Sequence, residues 1–183
     1  MLTIAGIDAS LSSCGICVID KGETYFYTCR AKKIATRPSD VEKNQRLALL
    51  VRDILAILKK HEVKVVAIEN YAFSRSSSSV TALAELQGAL KVAIFFSRIL
   101  CCSIPVSTIR KFCVGKHIPK KHEFHKEFKK IHHKFQESPK NEDEWDAFAV
   151  AYTLHHAWQL GGDPTLQESL AFHLSVEADE SIS

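Results

Sequence analysis

Apolar and polar positions change period several times along the chain, and each change marks an element. Residues 2–8 (Leu-Thr-Ile-Ala-Gly-Ile-Asp) form an apolar run closed by a carboxylate, which predicts a buried strand. A Ser-rich connection leads to a second apolar run from Cys14 to Ile19. Asp20-Lys21-Gly22-Glu23 supplies turn residues before a third run from Thr24 to Cys29, so this part of the chain predicts an antiparallel meander. After a polar linker, Leu47, Leu50, Val51, Ile54, Leu55 and Leu58 recur at helical spacing within a helix from about Val41 to Lys60. Val63 to Ile68 is almost continuously apolar and ends at Glu69, the pattern of a strand buried on both faces and paired in parallel.

Tyr71, Phe73, Arg75 and the serine run at 76–79 predict a surface loop, followed by a long helix from about Val80 to Leu100. Ile104 to Val106 reads as a short strand. Ser107 is placed to cap a short helix through Phe112, which Gly115 ends. Phe124, Phe128, Ile131 and Phe135 fall at i, i+4, i+7 and i+11 and predict an amphipathic helix with lysines and histidines on its other sides. A last helix from about Glu142 to Gln159 is closed by Gly161-Gly162 and Pro164, with a short helical turn near Leu166 to Phe172 and a loose end beyond Val176. These elements predict an α/β domain over residues 1–160, with a central mixed five-stranded sheet flanked by helices. Its first three strands are antiparallel and the rest parallel. Residues 161–183 are expected to form an acidic, partly disordered C-terminal tail.

Composition sharpens this picture. A chain of 183 residues with 46% hydrophobic content builds a core without disulfides. Cysteines 14, 17, 29, 101, 102 and 113 show no framework spacing and read as reduced thiols; Cys14 and Cys17 lie three apart in a strand, on opposite faces, which favours core thiols over a metal pair. No apolar stretch approaches a membrane span, and no basic leader precedes the first strand, so a soluble intracellular protein is expected. The tail from Gly161 carries five acidic residues and neither Lys nor Arg. The first 160 residues thus hold +8 against −5 in the tail, +3 in all. Between Lys116 and Lys140 lie eight lysines, five histidines and three glutamates, a concentration of charge that suits a polyanionic partner or a solvated helix face.

The candidate chemistry lies in carboxylates. Asp8 closes the first strand, Glu69 closes a central one, and Asp143 and Asp146 start the last helix on one face. Taken singly, an Asp after a strand is a turn residue, an acid in a first helical turn is a cap, and Glu69 pairs with an arginine. Taken together, they point to acids gathered at one sheet edge, where shared cations offset their repulsion and hard oxygen ligands favour Mg²⁺ or Mn²⁺. Two such ions about 4 Å apart serve phosphodiester hydrolysis.

Gly6-Ile7-Asp8 with Cys14-Gly15, Ile68-Glu69, and Asp143-Glu144-Trp145-Asp146-Ala147-Phe148-Ala149-Val150-Ala151 resemble, in order and spacing, the three catalytic blocks of RuvC-type Holliday-junction resolvases of the ribonuclease H-like superfamily. Ile109-Arg110-Lys111-Phe112-Cys113-Val114-Gly115, continuing to Lys120-Lys121, is similar to the family's intervening basic segment. The resemblance covers about residues 1–158. It implies a ribonuclease H-like fold and a homodimer that nicks four-way junctions symmetrically. Asp8, Glu69, Asp143 and Asp146 would bind two Mg²⁺ ions, with Mn²⁺ able to substitute and Asp8 as the bridge. Lys121 would neutralise the scissile phosphate. Arg110, Lys111, Lys116 and Lys120 would hold the backbone, with Tyr71, Phe73 and Arg75 on DNA near the crossover; Tyr71 and Phe73 read equally well as hydrophobic anchors. The helix bearing Leu83, Leu86, Leu90, Ile94 and Phe95 would form the dimer interface or bury those residues in the core. The chain departs from the pattern at Ala9-Ser10, where Pro-Gly is usual, at Arg110, where Lys is usual, and in its acidic tail. These differences suggest a divergent branch of phage or organelle type.

Other readings stay open beside this one. A nuclease of the same superfamily acting on RNA or other branched DNA would use the same carboxylates, and a noncatalytic DNA-binding relative would share the fold. Gly-Ile-Asp-x-Ser also resembles the phosphate loop of sugar kinases and actin-like ATPases, which need two such domains. His117, His122, His125, His132 and His133 read as DNA-facing or solvated rather than zinc ligands, and His155-His156 as helix surface.

Overall fold

The computed structural model describes residues 2–33, 38–70, 77–115, 120–132 and 138–159. Among them the chain runs β1 (Ile4–Asp8), β2 (Ser13–Asp20), β3 (Glu23–Arg30), α1 (Asp40–Lys60), β4 (Val65–Asn70), α2 (Ser77–Phe96), β5 (Leu100–Pro105), α3 (Val106–Val114), α4 (Lys121–Ile131) and α5 (Glu142–Gln159). The five strands lie in the order β3-β2-β1-β4-β5. β1 is antiparallel to β2 and β2 to β3, whereas β4 runs parallel to both β1 and β5. This is the mixed sheet that the hydrophobic pattern predicts.

Successive strand side chains point to opposite faces, and the strands are apolar on both. Ala5, Ile7, Cys14, Ile16, Val18, Val66 and Ile68 pack beneath α1 and α2 with Leu50, Ile54, Leu58, Leu86, Leu90 and Ile94. Ile4, Cys17, Ile19, Val65 and Ala67 pack on the other face with α5, α3 and α4, through Ala147, Phe148, Ala151, Ile109 and Phe124. Cys14 and Cys17 therefore lie in separate cores, and all six cysteines are free. Ser39 and Glu42 form a reciprocal capping box at the start of α1, which satisfies two otherwise orphaned backbone donors.

Several boundaries differ from the pattern. α2 stops at Phe96 rather than running to Leu100, because the chain reverses at Arg98 (φ 56°) and the Ile99 N–H bonds back to the Ile94 carbonyl at 3.2 Å. This frees Leu100 to pair with Val65, so β5 starts four residues before Ile104. Pro105, not Ser107, is the N-cap of α3, with no side-chain cap bond, and the helix runs through Val114 before Gly115 ends it at φ 72°. In α4 the buried positions are Phe124, His125 and Phe128, while Ile131 is 54% exposed. Phe135 and the tail from 160 onward, with its expected domain boundary, lie outside the described residues. Among the described residues no helix is long and apolar enough to cross a membrane.

α5 sits unusually close to the sheet, and two glycines permit it. A Cβ on Gly6 would lie 2.2 Å from the Ala151 nitrogen and 2.4 Å from the Ala147 carbonyl oxygen; one on Gly15 would lie 1.9 Å from the Asp143 carbonyl oxygen. Forced overpacking costs about 1–3 kcal/mol, and here the obstacle is main chain, which cannot rotate aside. Gly6→Ala and Gly15→Ala should each lower stability by at least that range in urea denaturation. Unchanged midpoints would show that α5 can lift off the sheet freely.

Candidate active site

Parallel register places the first two acids side by side. Ile7 pairs with Ile68, and one residue further on stand Asp8 and Glu69. Ile7 and Ile68 point into the core under α1 and α2. Alternation therefore turns Asp8 and Glu69 toward α5. Glu69 also pairs across β5 with Ile104, and the Gln87 side-chain amide of α2 donates to its carbonyl at 2.8 Å, which fixes the strand end.

The start of α5 is held by other groups. The Asn141 side-chain carbonyl accepts the Glu144 N–H at 3.0 Å. The buried Glu144 carboxylate accepts the Lys140 N–H at 2.6 Å and the Thr28 hydroxyl at 2.7 Å. The Asn141 amide donates in turn to the Thr28 hydroxyl oxygen at 2.8 Å. Capping thus falls to Asn141 and Glu144, and Asp143 and Asp146 are left for other contacts. Asp143 Oδ2 accepts the Ser13 hydroxyl at 2.6 Å. Asp146, 7% exposed, takes Lys121 Nζ on Oδ2 and His125 Nε2 on Oδ1, each at 2.6 Å.

The acids share one electrostatic environment. Burial first, then the charges of Glu69 and Asp146, push the Asp8 carboxyl up to about 8. Burial and the Asp146 charge likewise raise Glu69 to about 7, against the opposing fields of Lys121, Arg110 and His125. Burial alone would raise Asp146 too, but the hydrogen bonds from His125 and Lys121 outweigh it and hold that carboxyl below its ordinary value. Burial disfavours the Lys121 charge, yet its bond to Asp146 and the charges of Asp146, Asp8 and Glu69 raise it. The structure therefore brings Asp8, Glu69, Asp146 and Lys121 into one coupled group, with Asp143 and Arg110 close enough to be felt.

The other expected contacts are more dispersed. Arg110 lies over the Phe124 ring at 5.9 Å, Lys111 is exposed on α3, and Lys120 pairs with Glu123 at 3.2 Å. Tyr71, Phe73, Arg75 and Lys116 lie outside the described residues. His125, read as DNA-facing or solvated, is 5% exposed and bonded to Asp146. It was hidden by its lysine-rich surroundings, although its i+4 spacing from Lys121 was visible. Ser13 and Thr28 carried no sequence signal.

Four carboxylates are the donor set that Mg²⁺ or Mn²⁺ prefers, and burial, reinforced by the neighbouring acids, raises the Asp8 and Glu69 carboxyls. Among the described residues no three such side chains stand close enough together to hold an ion as they are. Both Asp146 oxygens accept from α4, and Asp143 accepts from Ser13. The residues fit a divalent cation in kind, and a cation beside Asp146 would compete with Lys121 for its Oδ2.

The mixed sheet and its acidic edge define a ribonuclease H-like α/β domain. A family model described as crossover junction endodeoxyribonuclease RuvC matches residues 4–155. The protein of that name from Paenarthrobacter aurescens is 28% identical over 160 residues, 87% of this chain and 83% of its own length. That from Caldanaerobacter subterraneus is 25% identical over 156 residues, 85% and 93%. Among solved structures, Thermus thermophilus RuvC in complex with Holliday junction substrate superposes with a TM-score of 0.69 at 20% identity, over 88% of this chain and 97% of that one. The yeast mitochondrial Holliday junction resolvase Ydc2 gives 0.52 at 14%, over 96% and 86%. The structural likenesses show the shared fold. The chain belongs to the RuvC family of crossover junction endodeoxyribonucleases.

Because Asp8 and Glu69 must be ionised to take up a cation, Mn²⁺ affinity should rise as pH passes from 6 through about 7 and 8. Calorimetry in two buffers of different ionisation enthalpy should detect proton release on binding; a flat profile without release would refute the raised values. The sign for stability follows. The folded Asp8 value lies above the ordinary 3.8, so ionisation costs stability increasingly as pH climbs toward about 8. Asp8→Asn should therefore stabilise the metal-free protein at pH 8.5, on the order of 1–3 kcal/mol after allowing for solvent screening.

Proposed function

We propose that the chain is a metal-dependent, structure-selective endodeoxyribonuclease that resolves four-way (Holliday) DNA junctions by paired, symmetrical nicks. The observation that carries the reading is the coupled group of Asp8, Glu69, Asp146 and Lys121 at the β1–β4 edge of a RuvC-family domain. Relatives are named for crossover junction cleavage, and the Thermus neighbour holds a Holliday junction. Asp8, Glu69, Asp143 and Asp146 would hold two Mg²⁺ ions, or Mn²⁺ in their place. When bound, the ions would supply Lewis acidity at the scissile phosphate and lower the pKa of the attacking water.

The chain's own groups bind and orient. Lys121, whose side chain is 51% exposed, reaches from α4 over the acids and is placed to neutralise the scissile phosphate. Arg110, Lys111 and Lys120 would grip the flanking backbone, joined by Lys116. Tyr71, Phe73 and Arg75 follow Glu69 in sequence and would meet DNA at the crossover. A DNA substrate fits an intracellular place of action.

The dimer would be built on α2. Leu86, Leu90 and Ile94 are consumed by the protomer's own core, but Val92, Phe95 and Phe96 are 56%, 46% and 79% exposed. Clustered apolar exposure of this kind marks an interaction surface, and two-fold pairing would match the symmetry of a four-way junction.

Purified protein should place paired symmetrical nicks in a four-way junction only with Mg²⁺ or Mn²⁺. Asp8→Asn should reduce the rate more than about 100-fold, since even outer partners of metal ligands are worth about 10–100-fold. Cleavage of an RNA–DNA hybrid instead would move the assignment to an RNA nuclease, and binding without cleavage to a noncatalytic relative. Junction affinity should fall steeply with salt. Sedimentation should show a dimer that Phe96→Glu shifts toward monomer; an unaltered dimer would remove α2 from the interface.

A further inference from the structure

We propose that His125 is a positioning residue for cation binding: its Nε2–H holds Asp146 Oδ1, which aims the remaining Asp146 oxygen at the metal once Lys121 has moved off it. This rests on the two-metal nuclease reading above and names a residue that the reading does not use.

The geometry separates the two partners of Asp146. Lys121 and His125 stand one helical turn apart on α4 and take one carboxylate oxygen each, at 2.6 Å. Lys121 has a long flexible stem and a side chain that is 51% exposed, so it can swing to a phosphate. The His125 side chain is 6% exposed and sits on the buried face of α4 beside Phe124, their ring centroids 5.8 Å apart. A ring enclosed in this way cannot leave without exposing a buried polar group. Asp146 accepts, so Nε2 carries the hydrogen. A ligating carboxylate fixed by such a bond has already lost the rotamer freedom that ligation would otherwise cost.

The role predicts a split that a merely structural histidine would not show. Mn²⁺ binding to the full-length, metal-stripped protein can be followed by calorimetry or by the Mn²⁺ electron paramagnetic signal, without any turnover. His125→Leu should weaken Mn²⁺ binding about tenfold or more, the usual effect of losing an outer partner. His125→Gln, whose amide N–H reaches about as far as Nε2, should restore most of the affinity. His125→Asn, one methylene shorter, should not. The cleavage defect of His125→Leu should shrink as Mn²⁺ is raised to saturation.

A folded His125→Leu protein that binds Mn²⁺ as tightly as the unaltered chain overturns the proposal. If the leucine variant does not fold, the Gln and Asn variants decide: equal affinities overturn it, and recovery by Gln alone supports it. If the unaltered chain itself neither binds Mn²⁺ nor cuts junctions, the nuclease reading fails first and this role with it.

Discussion

Like charges crowded at one buried edge govern the architecture of this protein. Asp8 and Glu69 are adjacent because two parallel strands are in register, and α5 adds Asp143 and Asp146 from above. In a partly dry environment these carboxylates cannot all ionise without help. Two carboxyls respond by holding protons toward neutral pH, and a third stays ionised because α4 supplies two donors to it. Such a cost is tolerated where a site needs charge at a defined place, and removing it would favour stability over function.

Gathering the acids demands that α5 come very close to the sheet. The glycines on β1 and β2 face helix backbone directly, and Ala147 and Ala151 continue the small-residue contact from the helix side. Close approach alone would leave the helix free to turn about its axis. The Thr28, Asn141 and Glu144 network ties its first turn to β3, and Ser13 ties Asp143 to β2. Rotation is thereby set, and residues three apart present both carboxylates on the side that faces Asp8 and Glu69. Gly15, Asn141 and Glu144 act on the site through helix placement, without joining the acidic cluster.

The parts legible in the sequence are those governed by local period. Strands apolar on both faces and the α1 stripe reflect alternation or 3.6-residue repeats, and an acid ending such a run lies at a sheet edge by construction. Boundaries were less legible where one apolar stretch serves two elements, as between α2 and β5. There the reversal at Arg98 and pairing with β4, both tertiary, decide the division. His125 was misplaced for a related reason. Lysines and histidines around it suggest a solvated face, and only the arrival of Asp146 from a helix 21 residues away gives its ring a reason to be buried. Ser13 and Thr28 show the same limit, since the partner of each hydroxyl, Asp143 or Glu144, lies 130 or 116 residues away along the chain.

Under the proposed function, Lys121 links metal and DNA. With Asp146 Oδ2 at 2.6 Å, its ammonium would divide its three donors between that carboxylate and a phosphate. Lys121 would be freer for the backbone where a cation neutralised the acids, and a phosphate drawing Lys121 away would leave Asp146 Oδ2 more available to a cation. Each ligand thus favours the other, and reciprocity requires the two couplings to be equal in free energy. Arg110 lies over the Phe124 ring. It acts on Glu69 through its field from α3. The position of Lys121 would therefore depend on whether substrate and cation are both present, and His125, behind it on the same helix, would keep Asp146 in place while that exchange occurs.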